Sequence, residues 1–203
     1  MSRFIGARRL GPVPAVSPAL PRNTVLQGDC IEVMAGFPDR CVDLILTDPP
    51  YLCRYHDRSG RTVANDDNPR WLRPAFAEAA RVLRNDSLCI SFYGWHAVGL
   101  FMDAWLAAGL RPVAHLVFTK PYASSSRFAA ARHECAYLLA KGRPPLPARP
   151  VPDVLPWRYT GNRLHPTEKP VTALKPLVDA YCPAGGVVLD PFCGVNRRAK
   201  LTP

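Results

Sequence analysis

Long apolar runs and paired cysteines are both missing from this chain of 203 residues. No apolar segment approaches the roughly 20 residues that span a bilayer, and the N-terminus lacks the compact apolar centre of a secretory signal. The seven cysteines form no C-x-x-C pair, so neither a zinc site nor a disulfide framework is indicated. We therefore predict a soluble cytoplasmic protein with free thiols, no metal and no membrane partner.

Acidic residues are scarce, with 16 Asp and Glu against 26 Lys and Arg and a formal net charge of +10. This excess suits a polyanionic partner such as nucleic acid, although a generally basic surface would give the same composition. Residues 1–22 contain no acidic residue and are interrupted by prolines, which predicts a basic, disordered arm. Residues 23–203 are enough for a single α/β domain and too few for two.

Strand and helix patterns alternate along residues 23–203. The predicted strands are 24–27, 42–47, 87–93, 113–119, 135–140 and 187–190, and the predicted helices are 30–37, 69–85, 95–108 and one that starts near residue 170. Because parallel strands need crossover connections, this alternation predicts a mostly parallel sheet with helices on both faces. Residues 52–69 and 141–160 lack a period and are predicted long loops, the first a candidate lid or DNA-contacting loop.

The second predicted strand stops at Asp48-Pro49-Pro50-Tyr51, at the kind of sheet edge where α/β proteins bind ligands. The tetrapeptide could be a simple turn, because prolines cannot donate to a sheet and end the strand. A functional interpretation explains each residue type. A carboxylate and a neighbouring backbone carbonyl can accept both N–H groups of an exocyclic amine, and a tyrosine ring can stack on an extruded base.

Two further blocks lie near the C-terminus. Residues 165–170 read H-P-T-E-K-P and precede a predicted helix, and residues 187–194 read V-V-L-D-P-F-C-G. A strand that ends in an acid and a small-residue turn is how doubly wound folds hold a nucleoside, because glycine lets the backbone approach closely. Alone, the second block would equally suit an ordinary transition from strand to loop.

Together and in this order, the three blocks resemble the DNA amino-methyltransferases that use S-adenosylmethionine, in the arrangement called the β group. The resemblance covers residues 24 to 194 and includes Gln27-Gly28-Asp29-Cys30, which is similar to the strand and Gly-Asp start of that family. It implies a Rossmann-like methyltransferase fold, double-stranded DNA as the partner, and methyl transfer to a flipped base within a restriction-modification system. An aspartate in the first block implies N6 of adenine, with N4 of cytosine as the alternative.

The resemblance also implies residue roles. The target base would be held by the catalytic block Asp48, Pro49, Pro50 and Tyr51. The S-adenosylmethionine pocket would be lined by a larger set: Asp29, Asp48, His165, Thr167, Lys169, Asp190, Phe192 and Gly194.

The sequence departs from the family pattern after Gly194. The family continues with a second glycine, small hydroxyl residues, a helix and a strand that ends in a ribose-binding acid, whereas Asn196, Arg197 and Arg198 follow here. We therefore expect the C-terminal helix and strand to be missing, and two hypotheses stand. The first is an active methyltransferase, with a partner chain, for example the second copy of a homodimer, completing the exposed sheet edge; the second is a weak or inactive relative that only binds DNA.

The other candidate residues have simpler interpretations. His133-Glu134 could be half of a metal site, but no second histidine follows at helical spacing. The four tryptophans are expected to be packing residues, with Trp157 in the proline-rich loop as the best candidate for base stacking.

Overall fold

The computed structural model describes residues 20–56, 60, 62–124, 128–157 and 169–193. Its helices are α1 (Cys30–Ala35), α2 (Leu72–Val82), α3 (Val98–Ala107) and α4 (Val171–Tyr181). Its strands are β1 (Val42–Thr47), β2 (Leu83–Phe92), β3 (Leu110–Thr119), β4 (His133–Lys141), β5 (Val154–Pro156) and β6 (Val188–Leu189). Residues 1–19, most of the predicted N-terminal arm, lie outside the described residues.

The strands form one six-stranded sheet in the order β5-β3-β4-β2-β1-β6. Strand β1 pairs in parallel with β2 and β6, and β3 pairs in parallel with β5. Strand β4 is antiparallel to both of its neighbours, β2 and β3. The predicted α/β fold with a mostly parallel sheet is confirmed, and the reversal of β4 is an addition that the sequence patterns did not predict.

Side chains alternate between the two faces along each strand, so apolar residues of the same strand lie on both faces of the sheet. Helices cover both of these faces. On one face Ile45 and Leu139 pack in a cluster with Phe76 of α2, and all three are almost completely buried. On the other face Leu44 packs in a cluster with Leu177 of α4. Burial of each such side chain contributes about 1.5–3 kcal/mol, so the two clusters hold the sheet edge in place between them.

Helix α2 runs into β2 without a connecting loop. Val82 ends the helix, Leu83 begins the strand, and both are fully buried. The Lys141 ammonium donates to the carbonyl oxygens of Ala80 and Leu83, each at 2.6 Å, and so satisfies two backbone acceptors at the helix end.

Three sequence predictions need correction. Residues 24–27 do not form a strand: Val25 and Leu26 are exposed, and no described residue pairs with them in the sheet. Helix α2 spans Leu72–Val82 and not the predicted 69–85: the Asn68 side chain accepts from the Arg70 amide at 3.2 Å in a turn before the helix, and residues 83–85 already belong to β2. Strand β5 lies inside the predicted loop at 141–160, where it is too short to give a period.

The segment after Tyr51 is organised by a buried carboxylate. Asp66 is 3% exposed and accepts from the backbone amides of Cys53 at 3.3 Å and Tyr55 at 2.6 Å. Within its described part, the predicted loop at residues 52–69 contains turns and one isolated bridge, between His56 and Thr62. None of the helices in the described ranges is long and apolar enough to cross a membrane.

Candidate active site

Two aspartates meet at the carboxyl ends of neighbouring parallel strands. Asp48 directly follows β1 and Asp190 directly follows β6, and the hydroxyl of Thr47 donates to Asp190 Oδ1 at 3.0 Å. The Phe192 amide donates to the same oxygen, also at 3.0 Å. Desolvation raises the pKa of Asp190 to about 6 in spite of these two donors. Pro49 is buried next to Asp48, so the strand end is fixed in position.

The ammonium group of a buried lysine, Lys169, forms an ion pair with Asp48. Lys169 Nζ is 2.8 Å from Asp48 Oδ1, and the lysine side chain is only 8% exposed. Burial disfavours the ammonium, but the carboxylates of Asp48 and Glu134 outweigh burial and raise the pKa of Lys169. Burial also raises the pKa of Asp48, with Lys169 acting in the opposite direction. The Asp48 carboxylate is therefore paired with an ammonium group, while its buried Oδ1 still lacks a hydrogen bond of good geometry.

Aromatic rings surround this ammonium. Lys169 Nζ lies 5.1 Å from the ring centroid of Tyr51, 5.0 Å from that of Phe92 and 5.7 Å from that of Trp157. Ring faces attract cations at such distances, and the attraction is stronger where water is excluded. A carboxylate beside several ring faces is thus an environment that suits a cation, and the ammonium of Lys169 occupies it.

Glu134 is a second, partly buried carboxylate at this site. Its Oε2 accepts from the Tyr51 hydroxyl at 3.0 Å and lies 3.1 Å from Lys169 Nζ. Its Oε1 lies 2.7 Å from Lys120 Nζ. Burial opposes ionisation, but the ammonium groups of Lys169 and Lys120 outweigh it and lower the pKa of Glu134. Burial and the two nearby carboxylates raise the pKa of Tyr51, which keeps its hydroxyl protonated as a donor.

Sequence reasoning missed Glu134 and Lys120 as members of the site. Glu134 lies near the start of β4, and a strand that runs parallel to its neighbours would start at the opposite edge of the sheet. Because β4 is reversed, its first residues meet the carboxyl ends of β1 and β2. The available signal was the lack of a helical pattern between the predicted strands at 113–119 and 135–140, which is typical of an antiparallel pair.

Gly94 lies just after β2, and its backbone is in close contact with Tyr51 of the catalytic block. A Cβ atom at this position would lie 2.4 Å from the Tyr51 carbonyl oxygen and 3.0 Å from Tyr51 Cβ. The next residue, Trp95, is 78% exposed, and a ring nitrogen of His96 is 3.1 Å from the Leu52 carbonyl oxygen. The expectation for the tryptophans was wrong on this point, because Trp157 is 6% exposed and packed while Trp95 is open to solvent.

Of the remaining predicted site residues, the structure describes Asp29 and Phe192. Asp29 is exposed and accepts from the Ile31 amide at 2.8 Å, which makes it the N-cap of α1. The Phe192 ring packs against Trp71 with centroids 5.0 Å apart. His165, Thr167 and Gly194 lie outside the described residues. Over the part of the chain that the structure describes, no group of three or more His, Cys, Asp or Glu residues could hold a metal ion.

A mixed sheet with helices on both faces and carboxylates at the ends of β1 and β6 defines a Rossmann-like methyltransferase fold. A family model described as DNA methylase matches residues 42–154 and 150–200. The chain belongs to this family, the N6/N4 DNA methyltransferases, whose cofactor is S-adenosylmethionine.

Similar proteins agree with this membership. The putative methylase YubD of Escherichia coli (strain K12) is 58% identical over 169 residues, which cover 83% of this chain and 74% of that protein. The crystal structure of an M1.HpyAVI–SAM complex is 18% identical with a TM-score of 0.60, and the match covers 83% of this chain and 82% of that one. The cytosine-N4-specific PvuII DNA methyltransferase is 13% identical with a TM-score of 0.61, covering 80% and 71%. At these identities the two structures show the fold alone.

Proposed function

We propose that this chain transfers a methyl group from S-adenosylmethionine to N6 of an adenine that is extruded from double-stranded DNA. The observation that carries the proposal is the environment of Asp48. The Lys169 ammonium forms an ion pair with its carboxylate, with Nζ 2.8 Å from Asp48 Oδ1 and 5.1 Å from the Tyr51 ring centroid. An exocyclic amine attached to a flat base would have its N–H group and its ring in the same two places.

Asp48 would orient the amine and manage its proton. Its carboxylate and a neighbouring backbone carbonyl accept the two amine N–H groups, which points the nitrogen lone pair toward the methyl group. The nitrogen loses one proton on methylation, and Asp48 is a suitable acceptor because burial raises its pKa. Bound S-adenosylmethionine would supply an electrophilic methyl group on a sulfonium centre.

Tyr51 would serve as the platform for the extruded base. Its hydroxyl is tied to Glu134 at 3.0 Å, so the ring has a fixed position before any base arrives. A platform that is already ordered loses little side-chain entropy on binding. The net charge of +10 supports binding to the phosphate backbone.

The cofactor would be held at the ends of β1 and β6. Asp190 and Asp48 offer carboxylates there, and Phe192 offers an apolar surface next to them. Asp29, His165, Thr167 and Gly194 are proposed on the resemblance alone.

The test is incubation of DNA from a methylation-deficient host with the protein and S-adenosylmethionine, followed by digestion and mass spectrometry of the nucleosides. We expect N6-methyladenine with the wild-type protein and none with Asp48→Ala. N4-methylcytosine in its place would contradict the adenine assignment, since the same acceptors could hold either amine. DNA binding by a folded protein that gives no calorimetric heat with millimolar S-adenosylmethionine would refute the enzyme and leave a DNA-binding relative.

A further inference from the structure

The Lys169 ammonium occupies the place that the proposed function gives to the target amine. It lies 2.8 Å from Asp48 Oδ1 and 5.1 Å from the centre of the Tyr51 ring. A base on that ring with its amine at Asp48 would overlap with the lysine. Entry of the base therefore requires Lys169 to leave Asp48.

Lys169 has one other anion within reach among the described residues. Glu134 Oε2 is 3.1 Å from Lys169 Nζ, so the ammonium already bridges the two carboxylates. The lysine side chain is 8% exposed, and a buried ammonium without a partner is strongly unfavourable. A short shift toward Glu134 would free Asp48 and keep the ammonium paired.

We propose that Glu134 is a positioning residue that receives the Lys169 ammonium when the target base takes its place at Asp48 and Tyr51. The bond from the Tyr51 hydroxyl to the same carboxylate keeps the ring in place during the exchange. This role rests on the proposed function, because it assigns a part in base binding to a residue of that site.

The charged groups around Glu134 determine in which direction the pKa of Asp48 changes when Glu134 is replaced. They are Asp48 and Tyr51 after β1, Lys120 after β3 and Lys169 before α4. The Glu134 charge raises the pKa of Asp48 and Lys169 lowers it. Replacement of Glu134 by Gln removes the like charge near Asp48. It also leaves Asp48 as the one carboxylate that pairs with Lys169 among these residues. Both changes lower the pKa of Asp48.

The first experiment needs no enzymatic activity. Aspartate side chains are labelled with carbon-13, the Asp48 signal is assigned with Asp48→Asn, and its titration is followed in wild type and Glu134→Gln. We expect a lower apparent pKa of Asp48 in Glu134→Gln. Asp179→Asn is the control, because it removes the same charge from an exposed pair with Lys175. An unchanged or higher pKa in Glu134→Gln would overturn the proposal.

The second experiment measures single-turnover transfer at saturating S-adenosylmethionine. We expect Glu134→Gln to lower the rate at least about tenfold and Asp179→Asn to change it less than about twofold. In a Lys169→Gln background the further effect of Glu134→Gln should be below about threefold, because Glu134 acts through Lys169. If Glu134→Gln alone does not fold, the double variant, which loses one charge of each sign, is compared with Lys169→Gln alone, and a loss of about tenfold or more between these two would overturn the proposal.

Two outcomes of the rate measurements would overturn the proposal. An equal loss in both backgrounds would mean that Glu134 acts independently of Lys169. No detectable transfer by Lys169→Gln would mean that the ammonium is needed at Asp48 during the reaction. If the wild-type protein transfers no methyl group, the proposed function fails, and the titration still decides whether Asp48 and Glu134 share Lys169.

Discussion

Replacement of Gly94 by alanine is the sharpest steric test of the catalytic block. The backbone at Gly94 has φ −80° and ψ 119°, which any residue can adopt, so alanine adds no backbone strain. The new Cβ would lie 2.4 Å from the Tyr51 carbonyl oxygen, whereas ordinary contacts begin near 3.4 Å. Tyr51 must therefore move by about 1 Å, and a displacement of that size at a reacting group can lower a rate about 100-fold.

The assay compares single-turnover methyl transfer with urea unfolding. We expect Gly94→Ala to lose about two orders of magnitude in rate, and about 1–3 kcal/mol in free energy of unfolding from overpacking. The control is Gly99→Ala in α3, where a Cβ would meet nothing within 4 Å. This change should stabilise the protein by roughly 0.5–1 kcal/mol, because alanine is the better helix former, and should leave the rate unchanged. A Gly94→Ala protein with wild-type rate would refute the reasoning.

Two further predictions concern stability. The pKa of Asp190 is raised to about 6, so the folded state binds its proton more tightly than the unfolded state, and stability should fall as pH rises from about 4 through 6. Calorimetry should show a smaller decline for Asp190→Asn, and an equal decline would contradict the shift. Arg81 donates to the carbonyl oxygens of Met34 at 2.6 Å and Phe37 at 2.9 Å, so Arg81→Lys should cost about 1–3 kcal/mol in urea unfolding. The exposed Arg73→Lys should change stability by less than about 0.5 kcal/mol, and a similar loss in both would refute the role of Arg81.

Local signals made one part of the site predictable. Strand β1 is a mostly apolar segment, V-D-L-I-L-T, followed by Asp48 and two prolines, and its observed bounds at Val42–Thr47 match the prediction. The position of Asp48 at the carboxyl end of a buried strand follows from those signals, because the strand must stop where prolines remove the donors.

The electrostatic surroundings of Asp48 were not predictable in the same way. The contacts of Lys169 and Glu134 join segments that are far apart in the chain, and they depend on the reversed direction of β4. Exposure is also a tertiary property. Trp157 lies in a proline-rich segment and is buried, while Trp95 lies in a helical pattern and is exposed, because three-dimensional packing and not sequence position decides which face is covered.

The order of strands has a consequence for dividing the chain. The segment after β4 supplies both ends of the sheet, since β5 lies beside β3 and β6 lies beside β1. A break at residues 144–149, which are largely exposed, would leave Asp48 and Glu134 on one fragment and Lys169 on the other. The second fragment would pair with the first at two opposite edges of the sheet, through β5 and β6. Methyl transfer by such a pair would then report directly on fragment reassembly, whereas a break at the buried junction of α2 and β2 would disrupt the core.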